Sequence, residues 1–99
     1  AGRTFSLLMK EFEKETEKKV TIVFENYGGA PPERFEAAVD LAATAAADHL
    51  GRGYLVGLKT LSFEVPPRPG PVQLNALLTR LALIEPVGVV AEPSVRVIE

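Results

Sequence analysis

VTIVFENYGG, residues 20–29, decides the fold, because an apolar run ends there in an acid, an amide, a tyrosine and two glycines. β-Branched residues dominate the run, and only Thr21 interrupts its apolar character. This composition favours a central strand that helices cover on both faces. A helical pattern follows the glycines, so the stretch predicts the strand, turn and helix of an open α/β sheet, which presents its sites at the carboxyl ends of its strands.

The chain that follows alternates helical and strand patterns. Residues 32–50 predict a crossover helix whose alanine-rich face packs closely on the sheet, and Gly51 and Gly53 end it. Residues 54–62 predict a second buried strand, parallel to the first. Residues 63–65 predict a short edge strand that turns back before the proline-rich break at 66–70.

A second amphipathic helix is predicted over residues 71–85. Its apolar face consists of Leu74, Leu77, Leu78, Leu81 and Ile84. We expect Gln73 to point away from that face, and Pro86 to end the helix.

The two ends of the chain have more ambiguous patterns. Residues 3–19 alternate apolar and polar side chains at first, then become rich in helix-forming charged residues. We favour an antiparallel strand over residues 3–13 and a solvated turn over 15–19. The tail, residues 87–99, can add an edge strand from either half or remain loosely attached.

Composition excludes several classes of function. The chain has 99 residues, which suffices for one domain, and a formal net charge of −2, which argues against a nucleic-acid binder. It contains no cysteine, so thiolate nucleophiles and cysteine-based zinc sites are excluded. The sequence shows neither a membrane-spanning run nor a signal-peptide pattern, and we expect a cytoplasmic domain, which can belong to a membrane-anchored parent protein.

Catalytic patterns do not emerge from the remaining residues. His49 is the single histidine, and its place near a helix end favours packing or capping over general-base chemistry. Gly28 and Gly29 precede a helix, as in phosphate-binding loops, but the P-loop lysine is missing and two prolines remove amide donors. We therefore predict no catalytic residue and no bound nucleotide.

Three stretches carry a resemblance to a known family: LLMKEFEKETEKKVTIVFEN (7–26), RFEAAVDLAATAAADHLGRGYLVGLKTLS (34–62) and QLNALLTRLALIEP (73–86). They resemble, in the same order and over most of the chain, the bacterial domain-of-unknown-function family 58. This is a von Willebrand factor A-like group associated with MoxR-type AAA+ ATPases. The resemblance implies an α/β fold with three layers, a mostly parallel sheet and helices on both faces. Residues 1–99 would then be a single domain, and a fragment of a larger von Willebrand A-like domain.

The same resemblance implies a place for a divalent cation. In such domains the first buried strand ends in Asp-x-Ser-x-Ser, and the matching positions here are Glu25, Tyr27 and Gly29. Because Mg²⁺ requires a compact set of oxygen ligands, these replacements should weaken or abolish the site. Glu25 stays the candidate ligand for weak Mg²⁺ binding, and the alternative is an acid that reaches solvent beside the positive end of the next helix.

We therefore expect a non-enzymatic protein-interaction module with a degenerate metal site. Its expected contact surface joins the loop of residues 25–32 with that of residues 62–71, since loops at strand ends carry function on such scaffolds. The contact candidates are Glu25, Asn26, Tyr27, Gly28 and Gly29. The resemblance implies a MoxR-type ATPase, or an assembly that it remodels, as the partner. The alternative function is a divalent-cation-dependent ligand-binding domain, and an exposed sheet edge also predicts a homo-oligomer.

Overall fold

The computed structural model describes residues 18–99, and the predicted strand over residues 3–13 lies outside them. The described elements, in chain order, are β1 (Lys19–Glu25), α1 (Pro32–Gly51), β2 (Leu55–Thr60), β3 (Glu64–Arg68), α2 (Gly70–Leu83) and β4 (Ser94–Ile98). The predicted α/β class is confirmed. The second half of the tail forms a strand, which was one of the alternatives for that segment.

One mixed sheet contains all four described strands, in the order β3-β2-β1-β4. β1 and β2 are parallel, with Val20 opposite Val56, as the crossover helix predicts. β3 pairs antiparallel with β2, and β4 pairs antiparallel with β1. The expectation of a mostly parallel sheet is therefore wrong for the described strands. The cause lies in the connections: β3 follows β2 after a short turn, and β4 starts beside Glu25, at the carboxyl end of β1, and must run back.

Both helices pack on the same face of the sheet. A single buried cluster joins the two helices to β1 and β2, and its members are Val20, Ile22, Phe24, Ala42, Ala46, Val56, Leu58, Leu77 and Leu81. Thr21 and Val23, which point to the opposite face, are only half-buried. Residues 18–99 thus form two layers, where helices on both faces were expected. The run at 20–24 looked apolar on both sides because valine and threonine also suit a half-exposed sheet face.

The β3 edge differs from its predicted form. The strand continues through Pro66 and Pro67, where the sequence suggested a break. An edge strand tolerates prolines because one row of its amides has no partner in the sheet. Gly57 on β2 lies against this segment, and a Cβ atom there would lie 3.0 Å from the Pro67 nitrogen and 2.9 Å from the Val65 carbonyl oxygen. The glycine therefore permits the close approach of the proline-containing strand.

Gln73 corrects the predicted orientation of α2. Its side chain is 5% exposed, and its Nε2 donates to the carbonyl oxygens of Val56 at 2.8 Å and Pro66 at 3.0 Å. The buried stripe of α2 is therefore Gln73, Leu77 and Leu81, at four-residue spacing. Hydrophobicity alone placed Gln73 outward because the two sheet carbonyls that it satisfies cannot be located from the helix pattern.

Candidate functional site

Asn26, the residue directly after β1, is completely buried. Its Oδ1 accepts a hydrogen bond from the Leu61 backbone N–H at 3.0 Å, and its Nδ2 donates to the Glu85 carbonyl at 2.9 Å and the Ser62 hydroxyl at 3.3 Å. Its own carbonyl accepts from the Val87 N–H at 2.7 Å. Asn26 therefore connects the ends of β1, β2 and α2. The two loops expected to form a joint surface do meet, but the side chain that joins them is inaccessible to a partner.

The backbone of the glycines after Asn26 is bonded to residues 85–93, a segment between α2 and β4 that we call the strap. The Gly28 N–H donates to the Gly88 carbonyl at 2.8 Å, and the Gly29 N–H donates to the Ala91 carbonyl at 2.9 Å. A Cβ atom on Gly29 would lie 2.4 Å from the Ala91 oxygen, and one on Gly28 would lie 2.8 Å from the Gly88 oxygen. The amides that a phosphate would need are thus already bonded, and both glycines serve backbone packing.

Glu25 lies on the side of the sheet that α1 and α2 leave uncovered. Its carboxylate accepts a hydrogen bond from the Arg96 guanidinium on β4 at 3.3 Å, and its side chain is 35% exposed. Across the sheet, Glu64 pairs with Lys59, Lys59 with Val23, and Val23 with Arg96. Since paired residues project from the same face, these four side chains form one row.

This uncovered side, which we call the open face, contains a shallow concavity of about 550 Å³. Its lining combines charged, hydroxyl and apolar side chains, including Thr21, Val23, Glu25, Lys59, Glu64, Arg96 and Ile98. Sequence reasoning named Glu25 among these residues, and Glu64 lies in the loop of residues 62–71 that was also expected to contribute. The signal for the others was the alternation of Lys59 and Arg96 with apolar residues along their strands, but alternation does not reveal which strands are adjacent.

The positions that the family resemblance assigns to a cation do not form a ligand set. Glu25 is bonded to Arg96, Tyr27 makes an isolated β-bridge with Val87, and Gly29 supplies no side chain. In residues 18–99, no three side chains of histidine, aspartate or glutamate are grouped to hold a metal ion. A neighbouring guanidinium also opposes a bound cation. These three positions therefore do not assemble a ligand set for Mg²⁺, and weak binding by the Glu25 carboxylate alone stays a prediction.

His49 occupies the packed position that the sequence favoured. Its Nδ1 lies 2.8 Å from the Ala45 carbonyl, which fixes this nitrogen as the donor. The ring packs edge-on against Tyr54, with centroids 5.4 Å apart. Both aromatic side chains thus secure the end of α1 against the start of β2. They lie at the opposite end of the β strands from Glu25 and contribute nothing to the open face.

No protein-family model matches the chain, and no curated protein or solved structure matches it either. The resemblance to family 58 therefore stays a prediction. Neither helix within residues 18–99 combines the length and apolar character needed to cross a bilayer.

Proposed function

We propose that this chain is a protein-interaction module and that its contact surface is the open face. The observation that carries the proposal is the one-sided covering of the sheet: α1 and α2 bury one face, and the other presents the concavity around Val23. Interfaces commonly place an apolar centre inside a polar rim. The open face has this arrangement, with Val23 and Ile98 among the charged side chains.

The charge pattern supports recognition of a protein with both signs on its surface. Lys59 and Arg96 contribute positive charge, and Glu25 and Glu64 contribute negative charge, within one concavity. A mixed pattern of this kind favours orientation and specificity more than raw affinity. The partner implied by the family resemblance is a MoxR-type AAA+ ATPase or an assembly that it remodels, in a cytoplasmic setting.

This surface differs from the loop surface expected from the sequence. Of the five candidate residues, Glu25 belongs to the open face, whereas Asn26 is buried and the backbones of Gly28 and Gly29 are bonded to the strap. Replacing the whole loop would therefore disturb folding as well as binding. A single surface charge is a cleaner probe of the interaction.

Charge reversal at Lys59 tests the proposal. Lys59 is exposed and lies next to Val23 in the row of side chains that crosses the open face. We therefore expect Lys59→Glu to lower the affinity for an immobilised MoxR-type ATPase by about tenfold or more. Arg52→Glu is the matched control, since Arg52 is 64% exposed at the far end of α1. Circular dichroism must show that both variants melt like the parent chain.

Two results would contradict the proposal. If the unmodified chain does not bind the ATPase, the assigned partner is wrong. If Lys59→Glu binds as tightly as Arg52→Glu, the open face is not the contact surface.

A further inference from the structure

The two edges of the described sheet differ in their capacity to pair with another strand. The outer edge at β3 contains Pro66 and Pro67, which have no amide hydrogen to donate. The outer edge at β4 has the sequence SVRVI, without proline or glycine. β4 is therefore the edge that can extend the sheet by backbone hydrogen bonds.

β4 also exposes apolar surface on both of its faces. Val97 is 41% exposed on the face covered by the helices, and Ile98 is 48% exposed on the open face. Charged side chains commonly protect edge strands from pairing, and the charge of Arg96, the single charged residue of this strand, is partly compensated by its salt bridge to Glu25. Within residues 18–99, this edge therefore has less protection against association than the proline-containing edge at β3.

From these observations we propose that β4 pairs antiparallel with β4 of a second copy of this chain, about a two-fold axis beside Val97. Antiparallel pairing of identical strands makes such an interface self-complementary. Paired residues must lie on the same face, so the register can be centred on Val95, Arg96 or Val97.

Repulsion between arginines and the position of Pro93 exclude two of these three registers. A centre at Arg96 would place two guanidinium groups directly opposite each other, which is unfavourable. A centre at Val95 would place Pro93, which has no N–H, within the paired region. A centre at Val97 places Val97 opposite Val97 of the second copy and Arg96 opposite its Ile98, and so covers both exposed apolar side chains.

The resulting dimer joins two sheets into one and keeps both open faces on the same side. One five-residue strand from each copy buries little surface, so we expect a weak, concentration-dependent dimer. The inference does not rest on the proposed function, because its test needs no partner protein.

Complementary charges at Val97 test the interface and its register together. In sedimentation equilibrium on the full chain, we expect the parent to be a dimer at high concentration and both Val97→Lys and Val97→Glu to be monomers. Mixing the two variants should restore the dimer, because the lysine and the glutamate then face each other across the axis. Leu83→Lys, at a side chain that is 75% exposed on α2, should dimerise like the parent.

Three results would overturn the inference. The first is a parent chain that stays monomeric at every concentration. Slow hydrogen exchange of the β4 amides in that monomer would show that another part of the chain covers the edge. The second is a Val97→Lys variant that dimerises as strongly as Leu83→Lys. The third is a mixture of the two Val97 variants that stays monomeric although both variants melt like the parent.

Discussion

A single buried amide organises the end of the sheet that sequence analysis had assigned to a metal motif. Asn26 accepts from the backbone N–H of Leu61 and donates to the backbone carbonyl of Glu85. An asparagine can do both because its amide carries an acceptor and two donors. The position after β1 is therefore specified by hydrogen-bonding geometry, and an acid there would lack the donor that Glu85 requires.

Removing this amide should destabilise the fold. We expect Asn26→Ala to lower the free energy of unfolding by about 1–3 kcal/mol, since the fully buried amide is lost and two partly buried backbone groups lose their partner. Asn75→Ala, at an exposed position in α2, is the control and should change stability little. Urea unfolding followed by circular dichroism measures both. Equal urea midpoints for the two variants would show that the hydrogen bonds of Asn26 do not stabilise the fold.

Replacement by alanine should have opposite effects on stability at two of the glycines. Gly29 has the Ala91 carbonyl oxygen 2.4 Å from the place of a Cβ atom, whereas Gly51, in the last turn of α1, has open space there. We expect Gly29→Ala to destabilise by about 1–3 kcal/mol through overpacking. Gly51→Ala should stabilise by about 0.5–1 kcal/mol, because alanine loses less backbone entropy in a helix. If the melting temperatures of the two variants shift in the same direction, the close contact between Gly29 and the strap is contradicted.

At the scale of elements, Gln73 links α2 to the two strands beneath it. Its side-chain amide donates to one carbonyl on β2 and one on β3, close to the register shift between these strands. A helix that only buried leucines could slide on the sheet, whereas directed hydrogen bonds fix its position. The polar residue in the buried stripe therefore sets how α2 sits on the edge of the sheet.

Replacing Gln73 by an apolar side chain of similar length isolates this contribution. We expect Gln73→Met to lower the free energy of unfolding by about 1–3 kcal/mol, because a buried hydrogen bond to the Val56 carbonyl and a partly buried one to the Pro66 carbonyl are lost while the volume is kept. Thr79→Met, on the exposed side of the same helix, controls for the added apolar group. A Gln73→Met variant as stable as Thr79→Met in guanidinium unfolding would show that packing alone positions α2.

At the scale of the whole molecule, the described residues form a sheet with one buried and one open face. The buried face holds the single core, to which β1, β2 and both helices contribute. The open face holds the charged row and the concavity, and β4 supplies an edge free of proline and glycine. The proposed binding surface and the proposed dimer edge share Arg96 and Ile98. Lys59 belongs only to the first and Val97 only to the second, so changes at these two residues test the two proposals separately.

The sequence by itself determined the α/β class, the order of the elements from β1 to α2 and the parallel pairing of β1 with β2. These features follow from local information: hydrophobic periodicity, glycine and proline positions, and the length of the crossover helix. It also identified the end of β1 as a special place, because the change from apolar residues to Glu25, Asn26 and glycines is visible in the chain itself.

Only the tertiary structure decided what that place is. The strap, residues 85–93, is distant in sequence from residues 26–29, so no local pattern could show that it bonds to the two glycines and to Asn26. The same holds for the direction of β4, the pairing of Arg96 with Glu25 and the inward orientation of Gln73. Each depends on which distant backbone groups come together, because a polar side chain is buried where an unpaired donor or acceptor needs it.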